Sequence, residues 1–102
     1  MNVDYQHARD IPNLVFLSAI KAAQRPWRDR LLPATRWDVA QILAGRSLAW
    51  PPDCEDVPGV PGKVVLAKFR RIERRGLARG CDCGCRGDFE LTATGLALVG
   101  GQ

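Results

Sequence analysis

The sequence is short of histidine and lacks long apolar runs, and each shortage excludes a class of function. No run of about 18 apolar residues is present, so a membrane-spanning helix is not expected. The single histidine, His7, is accompanied by no nucleophile motif and no phosphate-cradling glycine loop, so we predict neither an enzyme nor a small-molecule substrate. A basic start followed by an apolar core and a cleavage site is also missing, which favours a cytoplasmic protein.

The composition that remains is typical of one soluble domain. The chain has 102 residues, of which 46% are hydrophobic and 25% are charged. These fractions are unlike those of a disordered chain or a fibrous repeat, and the length suits a single hydrophobic core. We therefore predict one domain over residues 1–102. Residues 1–9 show no periodicity and are predicted to form a flexible N-terminal arm.

Positive charge is concentrated in one segment. The net charge of the chain is +4, but between Lys63 and Arg79 seven basic residues stand against one acidic residue, Glu73. The rest of the chain is therefore slightly acidic, and the basic residues form a patch. Such a patch raises the local concentration of polyanions and favours contacts to phosphates.

Helix one is predicted over residues 10–24. Its apolar residues recur at intervals of three: Leu14, Leu17, Ile20 and Ala23. This spacing places them on one side of a helix, facing the core. Pro26 ends the helix because proline cannot continue it, and residues 25–33 are expected to be a loop that leads to the next element.

Helices two and three are predicted from their ends as well as from their spacing. Helix two begins after Thr35, whose hydroxyl can accept a backbone N–H of the first turn, and Asp38 suits the positive end of the helix. Gly45 ends it. Helix three covers residues 62–75 and ends at Gly76. Its inward-facing residues are Val65, Phe69 and Ile72.

A proline-rich loop precedes helix three and a hairpin follows it. Residues 46–61 contain four prolines and one glycine, a composition that neither a helix nor a central strand tolerates. Residues 77–81 and 89–91 are predicted as two strands joined by a tip of turn-forming residues. A last short helix then begins at Thr92 or Thr94.

The order of these elements resembles the winged helix-turn-helix family. The likeness covers residues 35–45, 65–77 and 89–98. The spacing that carries it is that of Val65, Phe69, Ile72 and Gly76. It implies an α+β fold with a three-helix core, a two-stranded β-hairpin wing over residues 77–91 and a short C-terminal helix. The loop at 46–61 departs from the family, in which the turn between the paired helices is short.

The resemblance implies a protein that binds double-stranded DNA, as a transcriptional regulator or an accessory factor in recombination. Helix three would enter the major groove, and the wing would contact the flanking backbone. The predicted DNA-binding residues are Lys63, Lys68, Arg70, Arg71, Arg74, Arg75, Arg79 and Arg86. Those expected nearest the bases are Lys63, Lys68 and Arg71, together with Leu66 and Ala67.

Other interpretations fit the same residues. Val64 and Leu66, with Trp27 or Trp50, would serve a module that binds a protein partner or forms a homodimer, with the arginines facing an acidic surface. A zinc-stabilised structural or assembly component is a third interpretation. A charged helix face is also commonly no more than solvated.

The cysteines raise the question of a metal. Cys54, Cys81, Cys83 and Cys85 supply the four sulfur ligands that a structural zinc ion prefers, and an antiparallel hairpin would bring its tip back toward the loop that carries Cys54. The spacing is less typical of zinc than two Cys-x-x-Cys pairs. The alternative is that all four are reduced thiols without a ligand, so one structural Zn²⁺ stands as a hypothesis.

Overall fold

The computed structural model describes residues 4–48, 55–80 and 89–100. In chain order it has a turn of 3₁₀ helix at Ala8–Asp10, α1 at Asn13–Ala23, β1 at Arg25–Trp27, β2 at Arg30–Leu32, α2 at Arg36–Leu43, α3 at Gly62–Arg74, β3 at Ala78–Gly80, β4 at Phe89–Leu91 and α4 at Ala93–Gly100. The predicted α+β class is confirmed. None of the helices in the described ranges has the length and apolar composition needed to cross a membrane.

The start of the described chain contacts the core. The Tyr5 backbone N–H donates to the Gly59 carbonyl at 2.7 Å, and Tyr5 packs partly against the core. Ala8 and Ile11 are buried. Residues 4–9 therefore contact the core through Tyr5 and Ala8, and the flexibility of the arm stays a prediction. Residues 1–3 lie outside the described residues.

Helix α1 is shorter than predicted, and one of its predicted core residues is exposed. Leu17, Ile20 and Ala23 are buried as expected, but Leu14 is 53% exposed. Phe16, which the interval-of-three pattern omitted, is fully buried instead. The prediction for Leu14 is wrong because residues spaced by three drift around a helix of 3.6 residues per turn, so Leu14 lies on the side opposite Ala23.

A β-hairpin occupies the segment that was predicted to be a connecting loop. Strands β1 and β2 pair antiparallel, with Trp27 opposite Arg30, so Arg28 and Asp29 form a two-residue turn. Arg28 has a φ of 60°, a left-handed conformation that glycine and asparagine adopt more easily. The loop prediction is therefore wrong, because arginine is unusual at the position of positive φ and Pro26 lies within β1 of a hairpin that has only two strands.

The cap of α2 agrees with the sequence prediction and also joins α2 to β1. The Asp38 backbone N–H donates to Thr35 Oγ1 at 3.1 Å, and the Thr35 N–H donates to Asp38 Oδ2 at 3.3 Å. The second carboxylate oxygen of Asp38 accepts from Arg25 Nη2 at 2.9 Å. Because Asp38 is buried, these bonds orient α2 against the first hairpin.

A tight turn leads into α3. Pro58 and Gly59 lie between Val57 and Val60, whose backbones are bonded at 3.0 Å, and Gly59 has a φ of 85°, as the third position of a type II turn requires. Both valines are buried. The loop prediction holds for its described part, since no helix or strand is present at 46–48 or at 55–61. Residues 49–54 lie outside the described residues.

The second hairpin is attached to the core through Phe89. Ala78 pairs with Leu91, and Gly80 pairs with Phe89. On the opposite edge of β4, the backbone of Phe89 exchanges two hydrogen bonds with Ala34, of 2.6 and 2.8 Å. The two predicted strands are confirmed within the described residues, and the hairpin tip, residues 81–88, lies outside them.

Helix α4 lies across the chain that leaves α3. Thr92 Oγ1 accepts the Gly95 N–H at 3.1 Å and donates to the Gly76 carbonyl at 2.6 Å, so Thr92 rather than Thr94 caps the helix. A Cβ placed on Gly95 would come 1.9 Å from the Leu77 carbonyl oxygen. The absence of a side chain at Gly95 therefore permits this close approach.

Candidate nucleic-acid interface

Helix α3 has one buried side and one strongly basic side. Val65, Phe69 and Ile72 are buried, as their spacing predicts. The exposed residues of the helix and its C-cap are Lys63, Ala67, Arg70, Arg71, Arg74 and Arg75. Five of these six carry a positive charge, and Glu73, which is half-buried, is the one acidic residue of the helix. The basic patch is thus the solvent-facing side of a helix that the core holds in place.

The most protruding line of this side consists of Lys63, Ala67, Arg70 and Arg74. These positions are separated by four, three and four residues, which places them in one row along the helix. The Arg74 Nε also donates to the Arg70 carbonyl at 3.2 Å, which holds the side chain of Arg74 along the row. We call these four residues the outer row. It combines three cations with one small residue that permits close approach.

A second set of cations lies on the flank of the helix. Lys68, Arg71 and Arg75 are separated by three and four residues and share the side that faces the start of α1. Arg71 and Arg75 are exposed, but Lys68 retains only 5% of its surface and its ammonium donates to Asn13 Oδ1. We call these three residues the flanking cluster. Burial lowers the pKa of the Lys68 ammonium, and Arg71 and Arg75 lower it further.

Two predictions about base contacts are corrected by burial. Lys68 was expected near the bases, but its bond to Asn13, 55 positions earlier in the chain, draws it inward. Leu66 was also expected there, and it is 9% exposed within the core cluster. The physical reason is the same for both. Helix α2 packs on one side of α3 and the 3₁₀ turn at Ala8–Asp10 packs on another. The buried side of α3 is therefore wider than the spacing of Val65, Phe69 and Ile72 predicts.

Two of the four anchors predicted for a protein partner, Val64 and Leu66, are corrected for the same reason. Val64 is 5% exposed and, like Leu66, belongs to the core cluster. The side chain of Trp27 and all of Trp50 lie outside what the structure describes. Among the described residues, the large exposed apolar side chains are Leu14, Val15, Leu96 and Leu98, which lie on α1 and α4.

The second hairpin adds one described basic residue. Arg79 is on β3 and its side chain is 70% exposed, but its Nε donates to Glu90 Oε1 on β4 at 2.8 Å. An exposed pair of this kind contributes little to stability, so Arg79 can exchange Glu90 for another anion at low cost. Arg86, the other predicted wing residue, lies outside the described residues.

The structure also identifies two residues that were not predicted to belong to the site. Asn13 follows Pro12, the cap of α1, and its side chain accepts from Lys68. Arg36 lies over the ring of Trp37, 4.6 Å from its centroid, and approaches Gly62 at the start of α3. No local pattern could have indicated the bond between Asn13 and Lys68 or the approach of Arg36 to Gly62, because both depend on how the helices meet.

The four predicted zinc ligands, Cys54, Cys81, Cys83 and Cys85, all lie outside the described residues, so the zinc site stays a prediction. Within the described ranges, no group of three or more histidine, cysteine, aspartate or glutamate side chains is placed to hold a metal ion. His7 is exposed. The described residues therefore offer no second candidate for a metal centre.

Comparisons with family models, with curated proteins and with solved structures gave no match for this chain. The candidate interface consequently rests on the burial, charge and spacing of the chain's own residues. The resemblance to winged helix-turn-helix proteins stays a prediction.

Proposed function

We propose that this chain binds double-stranded DNA through the exposed side of α3. The observation that carries the proposal is the combination of five exposed cations on one side of α3 with a buried opposite side. A helix held in this way presents its charges as a rigid array, and a polyanion of regular spacing is the partner that such an array suits. We further propose that the protein acts in the cytoplasm, in the regulation of transcription or as an accessory factor in recombination.

The arrangement around α3 supports a winged helix-turn-helix as the fold behind this activity. We take α2 and α3 as the helix pair and β3–β4 as the wing. Helix α2 packs on α3, and the hairpin follows α3 directly after Gly76. The backbone pairing of Ala34 with Phe89 adds a third strand position beside the wing. Phe89 of this hairpin packs on Phe69 at the buried side of α3, and we propose that the wing contacts the DNA backbone.

The side chains of the outer row suit contacts to phosphates better than readout of bases. Lys63, Arg70 and Arg74 are long cations at the most protruding positions, and Ala67 between them can contact only a thymine methyl group or the groove floor. Phosphate contacts fix the position of a protein on DNA but carry no sequence information. We therefore propose shape-dependent binding with limited base selectivity.

The test is the affinity for a random-sequence duplex, measured over a series of salt concentrations. Each phosphate contact contributes roughly 0.9 to the slope of log affinity against log salt, so the double variant R70A/R74A should reduce the slope by about 1.8. A matched control, K21A/R46A, removes two exposed cations outside α3 and should leave the slope nearly unchanged.

Two results would contradict the proposal. The first is no binding at low salt or an affinity that does not respond to salt. The second is an equal reduction of the salt slope in R70A/R74A and in the control. That result would mean that the net charge of the protein, and not α3, attracts the DNA. A chain that binds no DNA would leave contact with a protein partner or a second copy as the alternative. The exposed Leu14, Val15, Leu96 and Leu98 then become the surface to examine.

A further inference from the structure

The Lys68 ammonium occupies a position where its charge is poorly compensated. Lys68 is 5% exposed, and among the described residues its hydrogen-bond partner is the neutral amide of Asn13. No carboxylate of the described residues forms an ion pair with it. Buried lysines normally have an anionic partner, because a desolvated charge without one is costly.

The neighbours of Lys68 increase this cost. Arg71 and Arg75 lie close enough to Lys68 to lower its pKa by repulsion. Asn13 is the first residue of α1, so the ammonium also lies beside the positive end of that helix. The 3₁₀ turn, which packs on α3, carries exposed Arg9 and Asp10, and the Asp10 carboxylate already accepts the His7 N–H at 3.0 Å.

The polar groups at this place are almost all donors. Lys68, Arg71 and Arg75 have no acceptor atoms in their side chains. The Asn13 carbonyl oxygen is taken by Lys68, so the NH₂ group of the same amide points away from the ammonium as a further donor. An anion with several oxygen acceptors would satisfy these donors and remove the electrostatic conflict together.

We propose that the flanking cluster, together with the amide of Asn13, binds one oxyanion of the phosphate class. Arg71 and Arg75 would contact the anion from the exposed flank of α3, and Lys68 would supply positive charge from its buried position. The proposal deepens the proposed function, on which it rests for one of two sources of the anion. The phosphate can come from the DNA backbone, or it can be a free phosphate group.

The first experiment uses inorganic phosphate. The midpoint temperature Tm is measured in sodium phosphate and in sodium chloride of equal ionic strength, for the wild type, for K68M, and for the exposed-lysine control K21M. Phosphate stabilises most proteins through exclusion from their surface, so the informative quantity is the difference between variants. We expect the rise in Tm from chloride to phosphate to be several degrees larger for wild type and K21M than for K68M. Only a ligand bound at the site stabilises the protein in a way that depends on Lys68.

A second variant guards against a failure of K68M to fold. The double variant R71A/R75A removes two exposed side chains, so its core stays intact. It should also lose the phosphate-specific gain in Tm. An equal gain in wild type, K68M and R71A/R75A would overturn the site.

The second experiment identifies the source of the phosphate. The salt slope for a random-sequence duplex should fall by roughly 0.9 in K68M and stay unchanged in K21M. An unchanged slope in a K68M protein that has lost the phosphate gain would support the site and overturn the DNA backbone as its source. A wild type that responds to phosphate but does not bind DNA would support the site and contradict the proposed function.

Discussion

The ring of Phe69 lies flat on the ring of Phe89, with centroids 4.0 Å apart and planes 9° from parallel. Both side chains are fully buried. Phe69 belongs to the middle of α3 and Phe89 begins β4, so this contact joins the basic helix to the hairpin that follows it. Because Phe89 also exchanges backbone hydrogen bonds with Ala34, one residue connects α3, the hairpin and the segment before α2.

We expect Phe89→Ala to lower the free energy of unfolding by about 3–5 kcal/mol, because it removes a buried ring and leaves a cavity against Phe69. Equilibrium unfolding in urea measures the change. Leu98→Ala is the control, since Leu98 is 49% exposed and its truncation should cost less than about 1 kcal/mol. Similar losses in the two variants would contradict the central position of the ring pair.

Gly95→Ala should destabilise the protein by about 1–3 kcal/mol, because the new Cβ would lie 1.9 Å from the Leu77 carbonyl oxygen and would push α4 away from it. Gly100→Ala is a matched control on the same helix, with no atom within 4 Å of the added Cβ. Thermal unfolding of both variants checks the prediction. A Gly95→Ala protein as stable as the Gly100→Ala protein would show that α4 does not approach Leu77 this closely.

The ion pair between Arg25 and Asp38 should stabilise the fold, because its side chains are only 14% and 6% exposed. Removing one partner of a buried pair typically costs about 3–5 kcal/mol. We expect Asp38→Ala to cost more than Arg25→Met, since Asp38 also accepts the Thr35 N–H at the cap of α2. A double-mutant cycle measured by urea unfolding checks the coupling, and strict additivity of the two losses would contradict it.

Arg28→Gly should raise the free energy of unfolding by roughly 0.5–1 kcal/mol, because glycine adopts a φ of 60° without the strain that a side chain incurs. Asp29→Gly is the control at the other turn position, which has no positive φ. It should be neutral or destabilising, because it only adds freedom to the unfolded chain. A destabilised Arg28→Gly protein would contradict the turn geometry.

The stability of the wild type relative to K68M should rise with pH in the alkaline range. The folded-state pKa of Lys68 is lowered from its ordinary value of 10.5. Between the lowered value and 10.5 the unfolded chain holds more protons than the folded chain, so the free energy of unfolding increases with pH in this window. Below the window the cost of the buried charge is present in full.

Urea unfolding at a series of pH values, from neutral pH to about 10.5, measures this difference for K68M and for the exposed-lysine control K21M. The K21M protein should follow the wild type across the series. A difference between wild type and K68M that stays constant with pH would contradict an uncompensated ammonium at Lys68.

Features that depend on a few neighbouring residues were predictable from the sequence. The Thr35 cap with Asp38, the end of α2 near Gly45 and the end of α3 near Gly76 all agree with the structure, and both glycines have positive φ values. The inward spacing of Val65, Phe69 and Ile72 is also correct. Each of these features depends on hydrogen bonds or side-chain spacing within three or four positions, where short-range geometry decides.

The candidate site was only partly predictable. The sequence located the basic helix and all five of its exposed cations, but it did not separate the outer row from Lys68. A lysine on an amphipathic helix is ordinarily solvated. Nothing near Lys68 in the sequence indicates that Asn13, on another helix, accepts its hydrogen bond.

The sequence by itself therefore determined where helices α2 and α3 begin and end, and that α3 is amphipathic and basic. Only the tertiary structure decided how wide its buried side is, that Leu14 faces solvent, and that residues 25–32 form a hairpin. The physical reason is the distance along the chain between the residues that interact. Caps and spacing act through contacts a few residues apart, whereas burial depends on which distant elements pack together, and a local pattern leaves that choice open.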